Sequence, residues 1–188
     1  MAVNLATFMG KVALGIYQVS GFLFVSALVT LSAFITKLVY AIASKNPNPS
    51  GTNQAFLVMA LSISVGAIAY ISYMIRLFYF PKISSYDIYE SLIIALFAFV
   101  DLGWAIYSLI KEAKQKNTLA LGLKAGSLTN GLSALVLTQI ALLSFTNPGK
   151  DFSFQNAWFG VLSGTIGLVI GFAMIAHYGR LTKKAKID

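Results

Sequence analysis

The chain has 188 residues, of which 57% are hydrophobic and 11% are charged, and its formal net charge is +8. Soluble domains average roughly 25% charged residues, so a water-soluble fold of this length would expose too much apolar surface, whereas a bilayer accommodates it. Lys and Arg concentrate at the ends of apolar segments, as in membrane proteins, which argues against nucleic-acid binding. The absence of cysteine and the single histidine exclude disulfides, thiolate metal sites and a bis-His haem site.

The first sixteen residues predict an amphipathic helix. Asn4, Thr7 and Lys11 recur at helical spacing beside the apolar residues Leu5 and Phe8, a pattern typical of a helix that lies in the membrane interface. The alternative is that these residues form the first turns of one long spanning helix. The apolar run after Lys11 is too long for the core of a cleaved signal peptide, so we expect the segment to be retained.

Further along the chain, five segments are long and apolar enough to cross a bilayer, near residues 17–43, 55–80, 87–110, 119–145 and 157–179. A spanning helix needs about 20 such residues. Polar breaks separate the segments, for example SKNPNPSGTNQ at 44–54 and TNPGKDFSFQN at 146–156, whose composition is that of turns. No stretch resembles an interdomain linker. Residues 1–188 are therefore predicted to form a single all-α domain, a polytopic transmembrane helix bundle.

The distribution of Lys and Arg predicts the orientation of this bundle in the cell membrane. With five spans, ten of the 14 basic residues fall on one side and four on the other. The richer side is expected to be cytoplasmic, which places the N-terminus outside and the C-terminus in the cytoplasm. The alternative has four spans, with the first segment in the interface or only half inserted. The four basic residues of the outer side are Lys11, Arg76, Lys82 and Lys150.

The last span carries a stripe of glycines. Four of them recur at spacings that place them on one helix face, namely Gly160, Gly164, Gly167 and Gly171. Such a face allows another backbone to approach closely, which favours helix association in lipid. The second span has small residues at the same spacing, namely Ser62, Gly66 and Ala69. We interpret the stripe as a helix-packing face inside the bundle, and the alternative is a face for another subunit.

Asp101 lies deep within the third span, in the segment ALFAFVDLGWAIY. An ionised carboxylate costs about 2.5–3.5 kcal/mol or more at the centre of a bilayer. The helical rise places Asn130 at the same depth, so Asn130, or Thr129 beside it, is the expected hydrogen-bond partner. No cation in a neighbouring span matches that depth, and Asp101 is therefore expected to be protonated. It is interpreted as a packing residue or a contact to a partner subunit, with a proton- or cation-linked site as the alternative.

Two further polar features are candidates. Arg76 and Glu90 are predicted to meet as an ion pair across the hairpin between the second and third spans, most simply in a structural role. His177 lies near the cytoplasmic end of the last span. It could bind a haem, a pigment or a metal only with a second ligand from elsewhere, so we expect an ordinary interfacial residue there and predict no cofactor or metal site.

No P-loop, GxGxxG, HExxH or GxSxG motif occurs in the sequence, and no catalytic residue is predicted. The sequence therefore favours a non-catalytic accessory or structural subunit of a larger membrane complex. Its expected contacts are the lipid bilayer and other membrane subunits or further copies of itself. The alternative is a small homo-oligomeric channel, or a proton- or cation-linked carrier, that uses Asp101.

Overall fold

The structure, a computed structural model, describes residues 2–17, 20–45, 48–80, 88–113, 117–147 and 149–184. Within these ranges the chain is entirely helical and has no β-strand, which confirms the prediction of an all-α bundle. Its helices are α1 (Ala2–Tyr17), α2 (Gly21–Ala43), α3 (Pro49–Tyr79), α4 (Ile88–Ala113), α5 (Thr118–Thr146) and α6 (Ser153–Lys184).

Four of the described helices, α2, α3, α5 and α6, are long and apolar enough to cross a membrane. The helix α1 and the segment Leu92–Ser108 of α4 are shorter apolar helices. With 16 residues, α1 is about 24 Å long, somewhat less than the roughly 30 Å hydrocarbon core. The chain is thus a multi-pass helical membrane protein.

Side-chain caps explain why several helices begin earlier than hydropathy alone predicts. The Asn48 side chain accepts a hydrogen bond from the Gly51 amide, and Pro49 occupies the first turn of α3, where its missing N–H has no consequence. Asn117 caps α5 in the same way, with 2.6 Å between its Oδ1 and the Ala120 amide nitrogen. Some of the polar residues that are predicted to form turns therefore belong to the first turn of a helix.

Before α6, the exposed Asp151 carboxylate accepts a hydrogen bond from the Ser153 amide at 2.8 Å. Hydrogen bonds from the Ser153 side chain and backbone lower the pKa of the Asp151 carboxyl, because they stabilise its charged form.

The helix α1 packs lengthwise along its neighbour α2, and its position in the membrane interface stays a prediction. Lys11 contacts Thr30 while Asn4 contacts Lys37, so α1 runs antiparallel along α2. The polar side chains of α1 are buried, whereas Leu5, Met9 and Ile16 are exposed. The amphipathic face is real, but it faces polar groups of neighbouring helices rather than lipid headgroups.

The start of α1 and the end of α6 lie at the same end of the bundle. Asn4 of α1 lies beside Lys37, near the end of α2. His177, near the end of α6, packs against Phe56 near the start of α3, with 5.8 Å between ring centroids. Since α3 follows α2 directly, these contacts share one end. The start of α1 and the end of α6 therefore share one end of the bundle, whereas the sequence predicts the N-terminus and the C-terminus on opposite sides of the membrane; the side on which each lies stays a prediction.

The glycine stripe of α6 packs inside the bundle. Gly160 faces Met74, and Gly171 faces Ser64, both on α3. A methyl group added at Gly164 would come within 2.5 Å of Ile71 Cγ1, so the two backbones approach too closely for a side chain there. The third glycine, Gly167, lies between α5 and α3: a methyl group there would be 2.9 Å from Thr129 Cγ2 and 3.6 Å from Ala67 Cβ.

The glycine stripe of α6 packs against α3, but not against the face of α3 that carries Ser62, Gly66 and Ala69. Gly66 lies against Ser32 of α2, and the Ser32 hydroxyl donates to the Ser62 carbonyl at 3.0 Å. The small-residue face of Ser62, Gly66 and Ala69 therefore belongs to the contact between α2 and α3. It also lines an open apolar groove of about 410 Å³.

Candidate functional site

Polar side chains form two layers along the seam between α1, α2 and α4, which we call the polar seam. In the first layer, the Lys11 ammonium forms a salt bridge with the Asp101 carboxylate and donates to Thr30 Oγ1 at 2.8 Å. The side chains of Lys11 and Asp101 are each 1% exposed, and Thr30 is fully buried. This ion-pair layer is closed to the surroundings of the bundle.

The Thr30 hydroxyl has two acceptors within hydrogen-bonding distance. Asp101 Oδ2 lies at 3.4 Å and the Ser26 carbonyl oxygen at 3.2 Å. One hydroxyl proton serves only one acceptor at a time, so Thr30 can turn between the carboxylate and its own helix. The Thr30 hydroxyl can therefore donate either to the ion pair or to the backbone of its own helix.

The second layer, which we call the Lys37 layer, lies closer to the end that holds the termini. Lys37 Nζ donates to Asn4 Oδ1 at 3.1 Å and to Ser108 Oγ at 3.3 Å. It also lies 5.8 Å from the centroid of the Trp104 ring. Each of the three helices contributes one residue to each layer. On every helix these two residues are seven positions apart, which corresponds to about 10.5 Å along the helix axis.

Local sequence explains how α1 reaches this position. Its buried residues are Asn4, Thr7, Lys11 and Gly15, whose spacings of three and four keep them on one face. A methyl group at Gly10 would come within 2.5 Å of the Phe97 ring on α4. Glycine at this position lets α1 pack closely enough for Lys11 to reach Asp101.

The structure pairs Asp101 with a cation, so the expectation that no cation matches its depth is wrong. From the sequence, Lys11 is predicted to lie at the outer surface, because residues 2–16 are expected to form an interfacial helix. Asn130 is buried on α5 at 2% exposure, but its Oδ1 has no hydrogen-bond partner among the described residues. The Thr129 hydroxyl bonds within α5, to the Ala125 carbonyl at 2.9 Å.

The other candidate residues lie away from the polar seam. The Arg76 guanidinium lies 5.9 Å from the centroid of the Phe80 ring, and the side chain of Glu90 is outside the described residues, so their predicted pairing stays a prediction. His177 contacts the edge of Phe56. Within the described ranges, no cluster of three or more His, Asp or Glu side chains suited to a metal ion is found.

The ion-pair layer brings one acidic and one basic side chain into contact inside the bundle. A carboxylate and an ammonium in contact can exist as an ion pair, or with an added proton that neutralises Asp101 and leaves Lys11 as an unpaired cation. Such groups are expensive inside a membrane, where ionisable residues pair with one another and mark ion and proton pathways. The polar seam therefore holds one buried carboxylate next to an ammonium group, at a position lined by α1, α2 and α4.

Comparison of the chain with protein-family models and with curated proteins found no match. The chain is a multi-pass helical membrane protein in which Lys11 of α1 and Asp101 of α4 form a buried ion pair.

Proposed function

We propose that this chain is a small proton-linked membrane carrier in which Asp101 takes up and releases the coupling proton. The observation that supports this function is the fully buried salt bridge between Lys11 and Asp101. A stable helix contact does not require it, because replacing a buried ion pair with apolar residues is often neutral or stabilising.

The pair gives the bundle two states that differ by one proton. While Asp101 is ionised, its attraction to Lys11 holds α1 against α4. When Asp101 is protonated, that attraction is lost and Lys11 becomes a buried cation without its counter-charge. Breaking a buried pair in this way costs about 3–5 kcal/mol, which favours a movement of α1 that rehydrates Lys11.

The helix α1 is suited to such a movement. It is the shortest of the described helices, and within the described residues it packs against α2 and α4 but not against α3, α5 or α6. The rest of the bundle is held by the glycine contacts between α3 and α6. Proton binding would thus act on one peripheral helix while the remaining helices keep their packing.

The coupling ion is more simply a proton than a metal cation. Lys11 already supplies the positive charge next to Asp101, so a metal ion would first have to displace the ammonium and would then face its repulsion. A proton neutralises the carboxylate without needing space for a coordination shell.

A non-catalytic accessory subunit, the function that the sequence favours, is the second candidate. Its support is the broad apolar exterior, for example the groove between α2 and α3 lined by Leu28, Leu31, Ile35 and Leu61. The glycine stripe no longer supports an external partner, because α3 and α5 cover it. In this alternative the ion pair only holds α1 in place.

Proton flux into liposomes distinguishes the two functions. Wild-type protein and Asp101→Asn are reconstituted with a pH-sensitive dye inside, and a pH gradient is imposed. Asn retains the shape and polar contacts of Asp but cannot exchange a proton at this position, so flux should disappear while the protein remains folded. Asp151→Asn, which changes an exposed loop carboxylate, is the matched control and should transport normally. Equal flux in wild type and Asp101→Asn would contradict the carrier function.

A further inference from the structure

A line of hydroxyl groups leads from the ion-pair layer into the centre of the bundle, away from the Lys37 layer. Thr30 donates to the carbonyl group of Ser26, one turn earlier on the same face of α2. The Ser26 hydroxyl lies 3.5 Å from the Ser133 hydroxyl of α5. Ser26 is fully buried and Ser133 is 3% exposed, so these polar groups are shielded from lipid and bulk water.

Tyr70 of α3 lies at the far end of this line. It is among the largest fully buried side chains of the described chain, at 1% exposure. Its hydroxyl lies close to the Ser133 side chain, but the contact does not have the geometry of a direct hydrogen bond, although a buried hydroxyl normally finds a partner. A cavity of about 10 Å³ lies beside Tyr70, and its polar lining is supplied by Thr129, Ser133 and Ser163.

The volume of this cavity is at the lower limit for one water molecule and is too small for any larger ligand. A buried water needs about 10–15 Å³ and two to four polar partners. Tyr70 supplies a donor, and the hydroxyl oxygens of Ser133 and Thr129 supply acceptors. An apolar ligand is excluded by the volume, and an anion by the absence of any cationic side chain in the lining.

We infer that this cavity binds one water molecule and that Tyr70, the water and Ser133 form the proton relay that serves Asp101. The inference rests on the proposed carrier function and adds its internal route. A proton arriving at the water is passed on to Ser133, Ser26 and Thr30 in turn, each oxygen gaining one proton and releasing its own. The last transfer protonates Asp101, to which Thr30 Oγ1 lies at 3.4 Å. Because Thr30 bonds to the main-chain carbonyl of Ser26 and not to its hydroxyl, the transfer between the two hydroxyls requires Ser26 Oγ to rotate toward Thr30 Oγ1.

Removal of single hydroxyl groups tests the relay in the reconstituted full chain. Tyr70→Phe and Ser133→Ala should each reduce proton flux at least about tenfold, because a positioned proton-transfer group contributes a factor of this order or more. Ser64→Ala is the matched control, since Ser64 is a buried hydroxyl of α3 whose hydrogen bond among the described residues stays within its own helix, to the Ala60 carbonyl at 2.9 Å. Its flux should be unchanged. Thermal unfolding of each variant in detergent shows whether the bundle is intact.

The outcomes separate the relay from the carrier function. Normal flux in folded Tyr70→Phe or Ser133→Ala, together with lost flux in Asp101→Asn, would overturn the relay and leave Asp101 as the proton site. A wild type without proton flux would overturn both. If Tyr70→Phe does not fold, Ser26→Ala interrupts the same line one step nearer to Asp101, and normal flux in that variant would equally overturn the relay.

Discussion

The strongest energetic consequence of the structure is that Lys11 and Asp101 should be intolerant of single replacement but tolerant of joint replacement. Lys11→Met leaves the carboxylate buried beside Thr30, and Asp101→Leu leaves the ammonium buried with the same single neighbour. Each single change should destabilise the protein by about 3–5 kcal/mol, because one buried charge loses its partner.

The double variant Lys11→Met with Asp101→Leu should lie within about 1–2 kcal/mol of wild type, since both charges are removed and the apolar replacements fill similar volumes. The coupling energy of the cycle is then about 4 kcal/mol or more, far above the few tenths expected for independent sites. For a chain of this size, each single variant should lower Tm by about 10 °C.

Thermal unfolding of all four proteins in the same mild detergent measures this cycle. Lys150→Met provides the baseline for losing an exposed lysine and should leave Tm unchanged, because Lys150 is exposed. Additive losses in the double variant, or single variants as stable as wild type, would refute the reasoning: the two side chains would then not form a closed ion pair in the folded protein.

Three further predictions concern topology, packing and a cap. Reporter fusions at the N-terminus, at residue 115 and at the C-terminus should all report the cytoplasm, and one at residue 150 the outside; an N-terminus opposite to residue 115 would contradict the antiparallel contact of α1 with α2. Gly164→Leu should cost about 1–3 kcal/mol through overpacking, whereas Val169→Leu, at a position 61% exposed, should cost little; equal tolerance would mean that the stripe faces lipid. The Asp151 carboxyl should titrate below its ordinary pKa of 3.8 in an NMR experiment, since hydrogen bonds from Ser153 hold the pKa down. Its stabilising contribution is therefore present at neutral pH and is lost as pH falls through the folded-state pKa; an unshifted titration would rule the cap out.

The sequence was informative where one residue pattern has one physical meaning. Long apolar runs between polar breaks can only be membrane helices in a chain of this composition, and the helical bundle follows. The spacing of Gly160, Gly164, Gly167 and Gly171 specifies a single helix face, and the structure places that face against α3 and α5. Asp101 stood out because an acidic residue in an apolar run is costly anywhere except in a polar interior.

The polar seam was not predictable in the same way, because periodicity defines a face but not its partner. Asn4, Thr7 and Lys11 would suit headgroups as well as they suit the interior of a bundle. A usable signal was present: Lys11 and Asn4, Thr30 and Lys37, and Asp101 and Ser108 are each seven residues apart. Three polar pairs with one interval on three helices indicate a shared double layer.

The packing partner of the stripe shows a second limit of sequence patterns. The helix α3 carries small residues on two faces, one with Ser62 and Gly66 and the other with Ser64 and Ala67. Spacing alone cannot rank these faces, since both allow close approach. Three-dimensional packing decides: Ser64 meets Gly171 of α6, while Gly66 meets Ser32 of α2.

The central claim is that Asp101 gains and loses a proton while the protein stays folded. Infrared difference spectroscopy of the reconstituted protein during a pH titration measures this directly, through the carbonyl stretch of a protonated carboxylic acid. If Asp101 is the proton site, we expect a band that grows as pH falls, is absent from Asp101→Asn, and remains in Asp151→Asn. A folded wild type in which no such band depends on Asp101 at any pH would contradict it, and the pair with Lys11 would then be a fixed structural contact.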